Sequence, residues 1–245
     1  MATEVVKSVG RVIEVLEFFR DGQSQASATE ICDTLGYPNS SADALLKSLV
    51  SLGYLTFDTQ SRRYFPTLRV TRLGDWIPNQ LFSDGTTAML ESLHESTGET
   101  VTLSMQNDLH MQFVRVLPGT FPISLRVSEG YLGPLFGTAV GEAFLSQLND
   151  RQIQRLLQRA RRTPGSVAGR MRLSAVIEEV GRTRELGYAV AYDRILPDTG
   201  AVAMPLPGNS SFVVAVGGLA SRIHLSEKAI IRLMRRAIRE LDLAA

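Results

Sequence analysis

Residues 27–65, SATEICDTLGYPNSSADALLKSLVSLGYLTFDTQSRRYF, read as two short helices joined by a tight turn and followed by a two-stranded wing. The first helix opens at Ser27-Ala28-Thr29-Glu30, where the Ser27 hydroxyl can accept from the amide three residues on and Glu30 can reach back, a capping box. It closes at Gly36, a residue free to turn left-handed. Tyr37-Pro38-Asn39-Ser40 makes the turn, with Asn39 or Ser40 as the next N-cap. Leu45, Leu46, Leu49, Val50 and Leu52 then form one helical stripe that ends at Gly53. Tyr54-Leu55-Thr56-Phe57 and Arg63-Tyr64-Phe65 have strand composition and flank the turn residues Asp58-Thr59-Gln60-Ser61. Helix, turn, helix and wing is an arrangement that reads DNA, with the second helix in the major groove.

Working outward, Ser8 to Arg20 carries Val12, Val15, Leu16 and Phe19 at helical spacing, with Asp21-Gly22 as its stop, and supplies the third helix such a domain needs. After the wing, Thr67 to Gly74 reads as a short helix or turn and Pro78 to Thr97 as a linker helix. At 245 residues the chain is long enough for two domains: 1–75 for DNA binding, 76–98 as the linker, and 99–245 as a second domain. From Glu99 the period changes to two. Val101, Leu103 and Met105 alternate with polar residues, Met111 to Leu117 follows, and Ile123 to Val127 is expected as a third strand. A glycine-rich loop, Gly130 to Pro134, leads to helices at Ala139–Gln147, Asp150–Arg161 and Ser174–Leu186. Strands return at Tyr188–Ala191, Ala201–Pro205 and Phe212–Gly217 before a closing helix, Ser226–Leu243. This order predicts an α+β domain, helices packed on an antiparallel sheet.

Charge and composition narrow the function. Lys plus Arg is 26 against Asp plus Glu 25, so no overall basic field recruits nucleic acid. In residues 1–75 the eight cations Lys7, Arg11, Arg20, Lys47, Arg62, Arg63, Arg69 and Arg72 face nine acids, and four of the eight cluster at the wing. The single cysteine, Cys32, excludes an internal disulfide and a thiolate-rich metal site, and reads as a small core residue. His94, His110 and His224 are scattered without ligand partners at metal spacing, so no metal and no cofactor is expected. No apolar h-region follows Glu4 and Lys7, and no apolar run is long enough to span a bilayer; a cytoplasmic protein without membrane contact is expected. No G-x-S-x-G, P-loop or dinucleotide fingerprint is present, so no catalytic residue is assigned and a hydrolase is disfavoured.

Three segments together resemble the IclR family of bacterial transcription regulators. The first is Ser8-Val9-Gly10-Arg11-Val12 with Ala28-Thr29-Glu30-Ile31, Leu35-Gly36-Tyr37-Pro38 and Leu45-Leu46-Lys47-Ser48-Leu49. The second is Gly137-Thr138-Ala139-Val140-Gly141-Glu142-Ala143-Phe144-Leu145. The third runs Arg184 to Ala189, then Val202 to Pro205, ending at Ala220-Ser221-Arg222. The resemblance implies a winged helix-turn-helix domain, a linker helix and a GAF-like effector-binding domain, in a homodimer or dimer of dimers that binds operator DNA, with repression as its expected action. Two positions depart from the family pattern. Ala44, beside Asp43, stands where an arginine usually precedes the paired leucines, and Glu142 stands where lysine is common.

The expected DNA contacts are Ala28, Asn39, Ser40, Ser41, Asp43 and Lys47 on the motif helices, with Arg62 and Arg63 on the wing. Trp76, Ile77, Leu81, Phe82, Met89 and Leu90 are the expected contact between chains. Positions at which family members holding small polar acids carry polar side chains correspond to Ala191, Ala201, Ala215 and Gly217, all small and apolar here. A compact acid such as glyoxylate would be left poorly paired, whereas a flat aromatic acid of hydroxybenzoate type fits better. Leu132, Leu135, Phe136, Ala139 and Val140 are expected as apolar walls, Asp193 at the border, and Arg126 with the amides near Ala139 and Val140 as carboxylate partners. The competing readings are a ligand-sensing, dimerising module without DNA binding and, further off, the hydrolase.

Overall fold

The structure, a computed structural model, describes residues 6–20, 22, 25–74, 84–207 and 212–244. The chain divides into two compact units, 1–81 and 82–245.

In the first unit α1 (Lys7–Arg20), α2 (Ala28–Leu35) and α3 (Asn39–Ser51) precede a hairpin of β1 (Leu55–Asp58) and β2 (Arg63–Pro66). A short α4 (Leu68–Thr71) and a 3-10 turn at Arg72–Gly74 follow. Val15, Phe18, Phe19, Ile31, Leu46, Leu49, Leu55 and Tyr64 meet in one core, so α1, α2, α3 and the wing each contribute an apolar face to it. The capping box forms as the sequence predicts: Glu30 N donates to Ser27 Oγ at 3.3 Å, and Ser27 N donates to Glu30 Oε2 at 2.7 Å. Gly36 closes α2 at φ 69°. Cys32 is buried on α2. The N-cap of α3 differs from expectation. It is Pro38, whose extended backbone leads straight into the helix, so Asn39 is already helical and no side chain caps this end. The stop expected at Asp21 lies outside the described residues.

The second unit begins with α5 (Asp84–Thr97), then β3 (Thr100–Asn107), β4 (His110–Leu117) and β5 (Leu132–Pro134). Next come α6 (Ala139–Leu145), α7 (Asp150–Arg161) and α8 (Leu173–Leu186). Strands β6 (Ala189–Tyr192), β7 (Thr199–Pro205) and β8 (Phe212–Leu219) lead to α9 (Ala220–Ala244). The six strands form one antiparallel sheet in the order β5-β4-β3-β8-β7-β6. Helices α6, α7 and α8 share an apolar core with Met111, Ala189, Ala203, Val213 and Ala215 of the strands. The neighbouring row Val101, Val216 and Val202 has the opposite parity and is wholly buried, and α5 and α9 pack against β3, β7 and β8.

Two expected elements are placed differently. Ile123 to Val127 is not a strand but a loop, and two of its carbonyls are served by side chains rather than by a ladder. Thr100 Oγ1 donates to Leu125 O at 2.6 Å and Arg222 Nη2 to Ile123 O at 3.0 Å. The strand that pairs with the outer edge of β4 is β5, from the glycine-rich loop. Of the expected linker helix, residues 78–83 lie outside the described residues, and the remainder, α5, packs on β3 and α9 of the second unit. Met89 and Leu90 are 5% and 3% exposed there, so they are not free to meet another chain; Trp76, Ile77, Leu81 and Phe82 lie outside the described residues.

Candidate functional site

On α3, Ala42, Leu46 and Leu49 turn into the core, which leaves Ala44, Lys47, Ser48 and Ser51 on the outward face with Asp43 at its margin. Lys47 Nζ donates to Asp43 Oδ2 at 2.7 Å, an exposed i,i+4 pair that holds the lysine above its ordinary value through that hydrogen bond. Ala44 is exposed, so the helix presents a methyl group where the family pattern carries an arginine. Ser48 and Ser51 were missed by reasoning from motif positions, although the period of the buried residues marks them as outward. The side chains of Asn39, Ser40 and Ser41 lie outside the described residues. Ala28 starts α2, half-buried, and packs on the domain core.

The wing arginines divide. Asp58 accepts from the amides of Gln60 and Ser61, and the turn ends with Arg62 exposed at φ 54°. Arg63 instead is paired within the domain, donating through Nη1 to Gln25 O at 2.9 Å and through Nη2 to Glu30 Oε1 at 3.0 Å. Glu30 lies below its ordinary range, first through its hydrogen bond from the Ser27 amide and then through Ser27 Oγ and Arg63. The α2 cap and the wing are thereby tied together, an arrangement that aims the wing rather than leaving Arg63 free for a phosphate.

In the second unit the strand register sets four small or short residues in a row. Ala191 pairs with Ala201, Ala201 with Gly217, and Gly217 with Thr100; the next row on that face is Ala189, Ala203, Ala215 and Thr102. Such side chains leave volume above the sheet. A cavity of about 140 Å³ lies there, walled by Phe113, Tyr131, Leu125 and Val127, the start of α6, and the loop from Asp193 to Leu196. Phe113 and Tyr131 stand with ring centroids 5.8 Å apart. Three lining threonines are already engaged: Thr100 with Leu125 O, Thr138 Oγ1 with Pro134 O and the Gly141 amide, and Thr199 Oγ1 with Leu196 O. Thr102 lines the cavity and makes no side-chain hydrogen bond among the described residues.

Of the expected effector residues, Ala139, Val140, Ala191, Asp193, Ala201, Ala215 and Gly217 come together on this cavity. Four do not. Arg126 is exposed on the covering loop, and Leu132 is 44% exposed on β5, at the sheet edge. Leu135 and Phe136 are 1% and 3% exposed in the core shared with α7 and α8, and they border a different hollow, because the chain turns inward there before α6. The cation that does line the cavity is Arg194, next to Asp193. Its Nη1 donates to Glu142 Oε1 at 2.6 Å and to Glu179 Oε2 at 3.2 Å. Glu142, with 8% of its side chain exposed, is pushed up to about 7 by burial; Arg194 opposes the rise and Glu179 adds to it.

Residues 82–243 match the family described as "Bacterial transcriptional regulator IclR C-terminal", and residues 8–59 match the IclR helix-turn-helix domain. The chain belongs to the IclR family. It is 24% identical over 235 residues to the HTH-type transcriptional regulator XynR of Escherichia coli, covering 93% of this chain and 92% of that one. It is 25% identical over 203 residues to the transcriptional repressor IclR of the same organism, covering 77% and 70%. The crystal structure of the Thermotoga maritima IclR has the same fold, with TM-score 0.63, 20% identity and coverage of 96% and 98%. This protein is thus an IclR-family DNA-binding transcriptional regulator. The hydrolase and the module without DNA binding are set aside, because the relatives are regulators and the DNA-reading motif is itself part of the family match. Among the described residues no helix is long and apolar enough to cross a membrane, and no three His, Cys, Asp or Glu side chains gather as a metal site.

Proposed function

We propose that this IclR-family regulator is a cytoplasmic homodimer or dimer of dimers that represses from its operator and changes operator affinity when an aromatic acid of hydroxybenzoate type binds the second unit. The observation that carries the reading is the cavity floored by Ala191, Ala201, Ala215 and Gly217. At about 140 Å³ it matches the scale at which a dry apolar cavity, about 150 Å³, takes up one benzene ring. Phe113 and Tyr131 offer ring contacts, and the Thr102 hydroxyl is placed to pair with a ring substituent. Glyoxylate would leave most of this apolar lining unfilled. The repressor assignment is supported by the relative described as a transcriptional repressor.

On the DNA side, α3 enters the major groove with Asn39, Ser40, Ser41, Asp43, Lys47, Ser48 and Ser51 toward bases or backbone, and Arg62 reaches the flanking phosphates. The test is a gel shift on the protein's own upstream region, with and without the acid, together with calorimetric titration of hydroxybenzoates, glyoxylate and pyruvate. Tight binding of hydroxybenzoate with a shift in operator affinity is expected. Tight binding of glyoxylate or pyruvate with no aromatic response overturns the effector assignment.

A further inference from the structure

We infer that Arg194 is the residue that receives the effector's carboxylate, on the edge of its guanidinium left open while Nη1 stays with Glu142 and Glu179. The inference rests on the cavity being an acid site, as proposed above.

Arg194 is the one cation among the described residues lining the cavity, and Asp193 the one acid. Both carboxylates that hold Arg194 use the same nitrogen, Nη1. Its Nε and Nη2 make no hydrogen bond to a described residue, so a parallel pair of donors remains for a carboxylate, the arrangement that makes arginine–carboxylate recognition strong. The side chain is one-third exposed, so the site is reachable. Arg126, the expected cation, is exposed and absent from the lining. The departure at Glu142 completes the picture. The acid on α6 takes its ion-pair partner from the loop that borders the cavity.

Charge then couples to protons. With an acid bound, three carboxylates meet one guanidinium. Of the two protein carboxylates Glu142 is the more desolvated, and it is the group that neutralises by taking a proton. The charged groups around it are Glu179 and Arg182 on α8, and Arg194 with Asp193 on the loop. Strands β6, β7 and β8 bring it no charged side chain; Tyr192 of β6 donates to Glu227 on α9. On β4, Arg115 is paired with Glu129, and His110 borders the other hollow. Because Glu142 already sits at about 7 without ligand, binding draws in a proton above that pH. Affinity is then flat below about 7, where Glu142 is protonated in both states, and falls as the pH rises through and beyond it.

Calorimetry on the full chain with 4-hydroxybenzoate at pH 7.5, in phosphate and in Tris, reads the proton directly. Wild-type protein is expected to take up protons on binding. Arg194→Gln weakens the acid roughly ten- to hundredfold while leaving 4-hydroxybenzamide within about twofold. Arg194→Lys restores part of the loss. Glu142→Gln keeps or tightens the acid and abolishes the buffer dependence. The double variant E142Q/R194Q, a neutral pair of similar shape, covers the case in which Arg194→Gln unfolds, and it too loses the acid but not the amide. Acid affinity unchanged in the Arg194 variants, or buffer-independent heats in the wild type, overturns this assignment alone. A wild-type protein that binds no acid at all overturns the acid reading of the cavity with it.

Discussion

Arg62 and Arg63 are adjacent in sequence, yet the structure gives them separate work. Arg62 projects from the wing turn, so Arg62→Ala is expected to lower the slope of log affinity against log salt by about 0.9, one phosphate contact, for operator and random DNA alike. Arg63→Ala cuts the tie to Glu30 and the Gln25 carbonyl, so its effect is on wing position, with little change in global stability because the pair is half exposed. Equal salt slopes for wild type and Arg62→Ala would move the wing off the DNA. Glu142 makes a second residue-scale expectation. Its folded value, about 7, lies above its ordinary 4.5, so the fold prefers it protonated. That contribution is complete below about 4.5 and is lost as the pH rises to about 7. Denaturant melts should therefore show wild type losing ground against Glu142→Gln across that window, by at most about 1.4 kcal/mol per pH unit. A constant difference would mean that Glu142 stays ionised.

At the scale of elements, α6 depends on a glycine. A methyl group at Gly141 would collide with the Leu135 carbonyl, because the helix start lies directly against the backbone that leads into it. Gly141→Ala is expected to cost about 1–3 kcal/mol or more, read as a lowered thermal midpoint, and to shift the cavity wall at Ala139 and Val140 with it. An unchanged midpoint would show that the two backbones separate freely. The sheet face makes the opposite kind of prediction. Ala201→Leu places a larger apolar side chain into existing space, so the midpoint should hold within a few degrees while calorimetric binding of aromatic acids disappears. Retained binding would place the effector elsewhere.

At the scale of the molecule, one reading helix covers only a few base pairs, and specificity on a genome calls for two half-sites bound by a symmetric pair. Light scattering at micromolar concentration is expected to return twice or four times the chain mass of 26.9 kDa, and a monomer would reject this. Met89 and Leu90 are committed to the interior of the second unit, so they do not make that contact. Their apolar spacing in the sequence is that of a helix packed on its own sheet as much as that of an interface.

Most elements follow from local chemistry. The capping box at Ser27 and Glu30, the left-handed Gly36, the alternation of Val101 and Leu103, and the periodicity of α7 each act within a few residues, and helix or strand is decided at that range. The row Ala191, Ala201 and Gly217 was legible as small residues, though only through the family pattern, since nothing local says that three strands bring them together. What the tertiary structure alone decided is where long side chains and carbonyls find partners. Ile123 to Val127 has strand composition but is a loop in which Thr100 and Arg222, distant in sequence, take the carbonyls of Leu125 and Ile123. Leu135 and Phe136 are as apolar as any pocket wall, and packing against α7 and α8 sends them into the core. Arg126 and Arg194 are alike as residues. Only the ion pairs to Glu142 and Glu179, 52 and 15 positions away, hold one at the cavity while the other points to water.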